Sequence, residues 1–185
     1  MNKSSMNIKG TLKCEITIPS NDFKKVTIEG LNNRHTHFDG DNVTISGERS
    51  NSFVNIGLEN ALDRLFGLGG AVVSHIGVTN DATAVTATTT KLDPTDDDSV
   101  TLLTAQSLAR VDRVVTGEAT FTHVNANFAY KKIGFLTTST DAGTGLIDVI
   151  GGGGTTPYNQ AFNIDLTGAT TWSATLGIEV EFKAS

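Results

Sequence analysis

The sequence contains one cysteine, three prolines and one tryptophan, and it has no long apolar run. A single cysteine, Cys14, excludes an intramolecular disulfide and a thiolate metal cage. A membrane helix needs about 20 consecutive apolar residues, and no stretch of the chain approaches that length. The first six residues also lack the apolar stretch of a signal peptide. We therefore expect a protein that is made and folded in a cytoplasm and does not bind membranes.

Clusters of basic residues are also missing. The 14 lysines and arginines are outnumbered by 20 acidic residues, which gives a formal net charge of -6. The only adjacent basic pairs are Lys24-Lys25 and Lys131-Lys132, and each lies beside apolar residues. Nucleic-acid binding requires clustered cations that displace counterions, so we do not expect a nucleic-acid partner.

Residues that favour β-strands are abundant. Threonine accounts for about one residue in seven of the 185, and threonine, valine and isoleucine pack well in pleated sheets. Residues 173–182 alternate between polar and apolar side chains, which is the pattern of a half-buried strand. The composition and this period predict a mainly β protein, an antiparallel β-sandwich of jelly-roll type with one short helix.

Most candidate strands are short and bounded by Gly, Asn, Asp or Pro. We predict strands over 11–18, 26–29, 43–46, 72–78, 83–89, 111–122, 132–137, 146–150, 162–166 and 173–182. The helix is predicted over 58–66, where Leu58, Leu62 and Phe66 follow helical spacing, and Gly67 ends it. Residues 100–111 fit either a helical turn or a strand.

Polar stretches divide the chain. Residues 31–42 are rich in asparagine, and a second polar stretch covers 47–52. They predict an N-terminal arm or β-extension over residues 1–54 and a β-sandwich domain over 55–185. The Thr- and Gly-rich residues 137–158 are expected to form a long connection around strand 146–150.

Three motifs resemble ligand sites. Gly151 to Gly154 have no following lysine or helix, so we interpret them as a flexible loop and not a phosphate loop. Asp93, Asp96, Asp97 and Asp98 lack the order of a calcium-binding loop, which favours a solvated turn. His35 and His37 share one side of an extended segment and offer two ligands for a transition metal, especially across a symmetric oligomer, but two ligands alone are weak support for a site.

Catalytic patterns are equally sparse. Cys14 alternates with apolar residues, which indicates a buried structural thiol. His75 and His123 occupy apolar segments typical of packed histidines, and Ser74 is expected on the strand face opposite His75. Glu179 and Glu181 share a strand face, where surface positions are the simpler interpretation. We assign no catalytic, cofactor-binding or metal-binding residue and expect a protein that is not an enzyme.

Residues 55–182 resemble, in the order of their features, a group of tailed-bacteriophage structural proteins with a small β-sandwich domain. The resemblance rests on the pieces Leu58 to Phe66, Ile76-Gly77-Val78-Thr79-Asn80, Ala84 to Leu92, Arg110, Arg113, Glu118 to Thr122, Asn125 to Phe128, Lys132-Ile133-Gly134-Phe135-Leu136 and Ser173 to Phe182. Lys132 departs from the group, in which an acidic residue is expected there. About two thirds of the chain is covered.

The resemblance implies a virion structural protein made in the host bacterial cytoplasm. The leading hypothesis is a capsid decoration, or cement, protein that binds the outside of the head at capsomer junctions, with the major capsid protein or other virion proteins as partners. Similar decoration proteins imply a homo-oligomer, a trimer. One alternative is a tail, baseplate or fibre-adaptor component. Another is a carbohydrate-binding module, for which Trp172, Tyr130 and Tyr158 are the candidate sugar platforms.

Overall fold

The computed structural model describes residues 6–50, 52–53, 55–70, 72–95, 97–137, 146–151 and 162–184. The protein is mainly β, and every strand pair in the described ranges is antiparallel, as the sequence predicted. The helices within the described ranges are a 3₁₀ helix at Ser20–Lys25 and α1 at Asn55–Leu65. The strands are β1 (Met6–Pro19), β2 (Thr27–Glu29), β3 (Asn32–Asp39), β4 (Asn42–Ser50), β5 (Ser52–Phe53), β6 (His75–Thr79), β7 (Val100–Thr104), β8 (Gln106–Val111), β9 (Val114–Thr122), β10 (Lys132–Leu136), β11 (Leu146–Gly151), β12 (Asn163–Asp165) and β13 (Ser173–Ala184).

The larger sheet has six strands in the order β3-β4-β1-β13-β9-β8. Its centre is formed by β1 and β13, which pair from Met6 opposite Ala184 to Thr17 opposite Ser173. On its other side β1 pairs with β4 from Thr11 to Pro19. The first long strand of the chain therefore lies between the last strand and the β3–β4 hairpin.

The second sheet has five strands in the order β5-β11-β10-β6-β7. The chain passes directly from its edge strand β7 to β8, the edge of the first sheet, through the buried Ala105. A small third sheet pairs β12 with β2. These connections place the two large sheets face to face, as in a β-sandwich.

One hydrophobic core joins both sheets. Leu12 and Ile16 of β1 belong to the same buried cluster as Val78 of β6 and Ile133 and Phe135 of β10. The alternation over residues 173–182 is confirmed, because Ala174, Leu176 and Ile178 are buried. At roughly 25 cal/mol per Å² of apolar surface, this shared core is the main stabilising contribution.

The opposite face of the five-stranded sheet is covered by residues 80–99. Val85 and Leu92 of this segment pack on Leu136 of β10 in a second, smaller buried cluster. The strand predicted over 83–89 is wrong, because this Thr-rich segment is irregular. Thr86 and Thr89 bond to each other across a tight turn instead of to a neighbouring strand.

The proposed division at residue 54 needs correction. The sequence predicted an N-terminal arm over residues 1–54, but β1 and β4 supply Leu12, Ile16, Val43 and Ile45 to the shared core. The polar stretch 31–42 is also not a loop, since it contains β3 and the turn to β4. β3 is an exposed edge strand, so its composition lacks the apolar alternation that marks a strand.

The helix predicted over 58–66 is confirmed, and α1 covers Asn55–Leu65. Leu58 and Leu62 are exposed, as is Phe66 directly after the helix. Among the α1 residues whose burial is described, Gly57 is buried, and α1 packs beside β11. Periodicity groups side chains on one face of a helix, but it does not determine which face meets the core. Residues 100–111, left open by the sequence, form β7 and β8.

Candidate functional site

Lys132 is the most unusual charged residue of the interior. It is the first residue of β10, its side chain is 1% exposed, and its ammonium bonds to a carboxylate oxygen of Asp81. The same Nζ also donates to the carbonyl oxygen of Leu92, at 3.2 Å. A buried lysine is costly unless a carboxylate and further acceptors replace its water, and Asp81 and Leu92 provide both.

Two more carboxylates converge on this pair. One carboxylate oxygen from each of Asp81, Asp93 and Asp98 lies within 4.8 Å of the other two. Asp93 is buried and oriented by its own loop, because its Oδ1 accepts from the Thr95 backbone and hydroxyl and its Oδ2 from the Asp98 N–H. We call Lys132, Asp81, Asp93 and Asp98 the Lys132 cluster.

The pKa values of two carboxyl groups in the cluster are shifted in opposite directions. Burial acts to raise the pKa of Asp81, but hydrogen bonds from Lys132 and Thr83 and the charge of Lys132 outweigh it, so that pKa is lowered. The pKa of Asp98 is raised by desolvation and by the charges of Asp81, Asp93 and Asp97. One site thus holds an ionised acid beside an acid that binds its proton more readily.

The cluster does not have the character of a metal centre. Three carboxylates at this spacing can surround one cation, but the Lys132 ammonium already bonds to Asp81 and supplies positive charge. Of the four aspartates considered from sequence, Asp93 and Asp98 join the cluster, Asp97 bonds to Thr95, and Asp96 lies outside the described residues. Sequence reasoning missed Asp81 and Lys132. The sequence did contain a signal for Lys132, because a lysine at the start of an otherwise apolar strand indicates a buried charge.

His35 and His37 lie on the exposed edge strand β3, opposite Ser46 and Thr44. Within the described ranges they do not belong to any group of three potential metal ligands. His35 lines a shallow groove of about 580 Å³ across the outer face of the six-stranded sheet. The charged residues of the groove are Lys13, Glu15, Glu48, Glu118 and Glu179.

Most of the groove's charges are carboxylates. The Lys13 ammonium bonds to Glu179 at 2.6 Å, and Asn33 donates to Glu48 at 2.6 Å. Glu179 is therefore a surface residue, as the sequence suggested. These are exposed contacts in which solvent screens the charges, so each stabilises the fold by roughly 1 kcal/mol or less.

An exposed apolar surface runs along α1 and the residues after it. Leu58, Leu62 and Phe66 are spaced four residues apart, and Phe66 is 70% exposed. Leu68 and Val72, which follow the helix in the chain, are also exposed, at 75% and 60%. We call these five residues the helix surface. Single exposed apolar residues are ordinary, but contiguous groups mark interaction sites.

Both edges of the six-stranded sheet are open along their length. Every residue of β3 and every residue of β8 is exposed. β8 carries a bulge between Gln106 and Ala109, where Ser107 has a φ of 53°. Bulges twist an edge and limit uncontrolled pairing, while leaving part of it open to a partner strand.

The aromatic candidates are buried. Trp172 is in edge-to-face contact with Tyr130 and His123, at ring-centroid distances of 6.0 and 6.4 Å. Tyr130 also contacts Phe121 and Phe128. Trp172 is 4% exposed and Tyr130 is fully buried, so neither ring presents a face to solvent. Tyr158 lies outside the described residues.

Ser74 and His75 are closer than expected. The sequence predicted opposite strand faces, but Ser74 precedes β6 and its hydroxyl bonds to His75 Nδ1 at 2.7 Å. In the part of the chain that the structure describes, no carboxylate bonds to His75, so the third member of a hydrolytic triad is missing there. Gly152 to Gly154 lie outside the described residues.

No protein-family model, curated protein or solved structure matches the chain. Among the described residues no helix is long and apolar enough to cross a membrane.

Proposed function

We propose that the chain is a bacteriophage virion structural protein, a decoration protein that binds the outside of the capsid and reinforces capsomer junctions. It is made in the host bacterial cytoplasm and acts without catalysis. The proposal rests on the resemblance of residues 55–182 to phage structural proteins and on the surfaces that this β-sandwich leaves open. The helix surface is the single observation that supports it most strongly.

The helix surface is suited to docking on a large protein assembly. Leu58 and Leu62 project from α1, which packs beside β11 of the sandwich, so these two side chains require little ordering on binding. Covering five partly exposed apolar side chains contributes roughly 3 to 6 kcal/mol before those costs. Glu59, Asp63 and Arg64 lie on the same helix, so the partner we propose is an apolar depression on the capsid bordered by charges of both signs.

The open edges support the oligomeric part of the proposal. β3 and β8 are the two edges of one sheet, so β8 of one copy can pair with β3 of the next. Such head-to-tail contacts form a closed ring when the rotation between copies closes, and a trimer is the ring we propose. A tail, baseplate or fibre-adaptor role would use the same surfaces at a different place in the virion.

The positions of Trp172 and Tyr130 do not favour a carbohydrate-binding function. A sugar platform needs an exposed aromatic face, and both side chains are buried in the core.

Binding to heads tests the docking surface. Purified chain is mixed with heads from a phage that lacks it, and the bound fraction is measured after sedimentation. Leu62→Glu places a charge in the helix surface and should weaken binding at least tenfold. Val124→Glu is the matched control, because Val124 is 94% exposed and lies outside the helix surface. Equal binding by the two variants, or no binding of the unmodified chain to heads, would contradict the proposal.

A further inference from the structure

We propose that Lys132 and Asp81 form an intramolecular isopeptide bond, an amide between Lys132 Nζ and Asp81 Cγ. The geometry points to it because the amine and the carboxyl are held in contact inside the protein, with two further carboxylates beside them. The inference does not depend on the virion role.

The backbone fixes both reacting groups. Lys132 pairs with Thr79 across the β10–β6 ladder, and the Lys131 N–H donates to the Thr79 carbonyl at 2.8 Å. Asp81 follows two residues after Thr79, and its own N–H donates to the Thr79 hydroxyl at 3.0 Å. Reacting groups held this closely behave as if present at effective concentrations of roughly 10⁵ M or more, which favours condensation.

The side chain of Asp81 is also held in place. Its Oδ1 accepts from the Thr83 N–H at 2.7 Å, while its other oxygen, Oδ2, meets the lysine. Burial also favours the amide product, because Lys132 and Asp81 are both almost fully covered by protein. Exclusion of water removes the reactant that would hydrolyse the product.

The reaction balances without any other reagent. A proton passes from the Lys132 ammonium to the Asp81 carboxylate, which leaves a neutral amine and a neutral acid as the reacting pair. The amine lone pair attacks Cγ, the N–C bond forms, and one C–O bond breaks. That oxygen leaves as water with one proton from the acid and one from the amine.

Asp98 is the group assigned to carry protons between the amine and the leaving oxygen. It belongs to the cluster, and the raised pKa of its carboxyl makes it a better proton carrier than an ordinary aspartate. Asp93 is a fixed buried neighbour that orients the loop through the Asp98 N–H.

The product would be a covalent link between Asp81, two residues after β6, and Lys132, the first residue of β10. It would enclose residues 81–132 in a ring that includes β7, β8 and β9. Closing so long a loop reduces the freedom of the unfolded chain more than that of the folded one.

Mass spectrometry of the denatured full-length protein tests the bond. We expect an intact mass lower than the sequence mass by one water molecule. After trypsin, residues 65–91 should be joined to residues 132–183, because an acylated Lys132 is not cleaved. Lys132→Arg should restore the full sequence mass. Lys131→Arg is the matched control and should still lose water, since Lys131 bonds to Asn163 and not to the cluster.

Two results would overturn the bond. One is an unmodified intact mass for the folded protein after prolonged incubation. The other is a water loss that fragment spectra place elsewhere, for example as a succinimide at Asp39-Gly40. These readouts use the unmodified chain, so they hold even where Lys132→Arg fails to fold.

The role of Asp98 has its own test. In freshly synthesised protein followed over time by intact mass, the rate of bond formation in Asp98→Asn should fall at least tenfold, while Asp41→Asn, an exposed residue outside the Lys132 cluster, should keep the rate of the unmodified chain. Equal rates in the two variants would overturn the assignment of Asp98 as proton carrier.

Discussion

Single buried polar residues connect parts of this chain that are far apart in sequence. Asp22 of the 3₁₀ helix is fully buried and accepts from the backbone and the hydroxyl of Thr170, at 2.8 and 2.7 Å. Lys25 donates to its other oxygen at 2.6 Å. Lys25 is three residues away, but Thr170 is 148 residues away, so the contact that buries Asp22 could not be predicted from a local sequence pattern.

Asp22 should make stability depend on pH in the acid range. Hydrogen bonds from Lys25 and Thr170 lower its pKa from 3.8 to about 2. Because the folded-state pKa lies below that of the unfolded chain, this contribution is present above about pH 4 and is lost as the pH falls towards 2. Asp22→Asn should therefore lower the urea midpoint at pH 6 and have little effect near pH 2. The exposed Asp41→Asn is the control, and a difference between Asp22→Asn and the unmodified chain that persists at pH 2 would contradict this explanation.

The thiol of Cys14 should be unreactive in the folded protein. Burial raises the pKa of its thiol to about 12, with the charge of Glu15 adding to the effect. Only the thiolate reacts readily, so we expect no labelling by a thiol reagent at pH 8 until denaturant is added. Rapid labelling without denaturant would show that β1 opens readily in the native state. The burial confirms the interpretation of Cys14 drawn from its apolar neighbours.

At the scale of elements, strands with a buried face were predictable from sequence, and the wholly exposed edge strand β3 was missed. β13 and β1 alternate apolar and polar residues because each has one buried face. β3 has no buried residue, and the Thr-rich 83–89 has strand composition without a pairing partner. The Lys132 cluster depends on the same long-range placement, since the segment 80–99 folds over β10.

The turn between β12 and β13 should tolerate no side chain at Gly168. A Cβ there would overlap the carbonyl oxygen of Lys25 in the 3₁₀ helix, and backbone cannot move aside as a side chain can. We expect Gly168→Ala to lower the free energy of unfolding by about 1 to 3 kcal/mol in urea titrations. Gly177→Ala in β13 is the matched control, because the nearest atom would be 3.8 Å away. Equal effects of the two changes would contradict the close approach at Gly168.

At the scale of the whole molecule, composition and alternation predicted a β-sandwich, but they did not predict the order of the strands in its sheets. The polar residues 31–42 appeared to separate an N-terminal arm from the rest. In the fold they form an outer hairpin strand, while β1 enters the middle of the six-stranded sheet. A boundary placed by composition alone therefore divided one shared core.

Removal of residues 1–50 should consequently unfold the protein. The deletion removes the strands β1 to β4, leaves β13 without its partner β1, and takes Leu12, Ile16 and Ile45 out of the core. We expect loss of the cooperative thermal transition in circular dichroism. A deletion of residues 1–5 retains all of β1 and should keep the transition. A folded product from the longer deletion would restore the arm interpretation.

We propose that the chain is a component of the capsid exterior. Quantitative mass spectrometry of purified phage, with heads separated from tails, tests this location most directly. We expect the chain in the head fraction at a copy number comparable to that of the major capsid protein. A few copies confined to the tail fraction, or none in the particle, would contradict the claim.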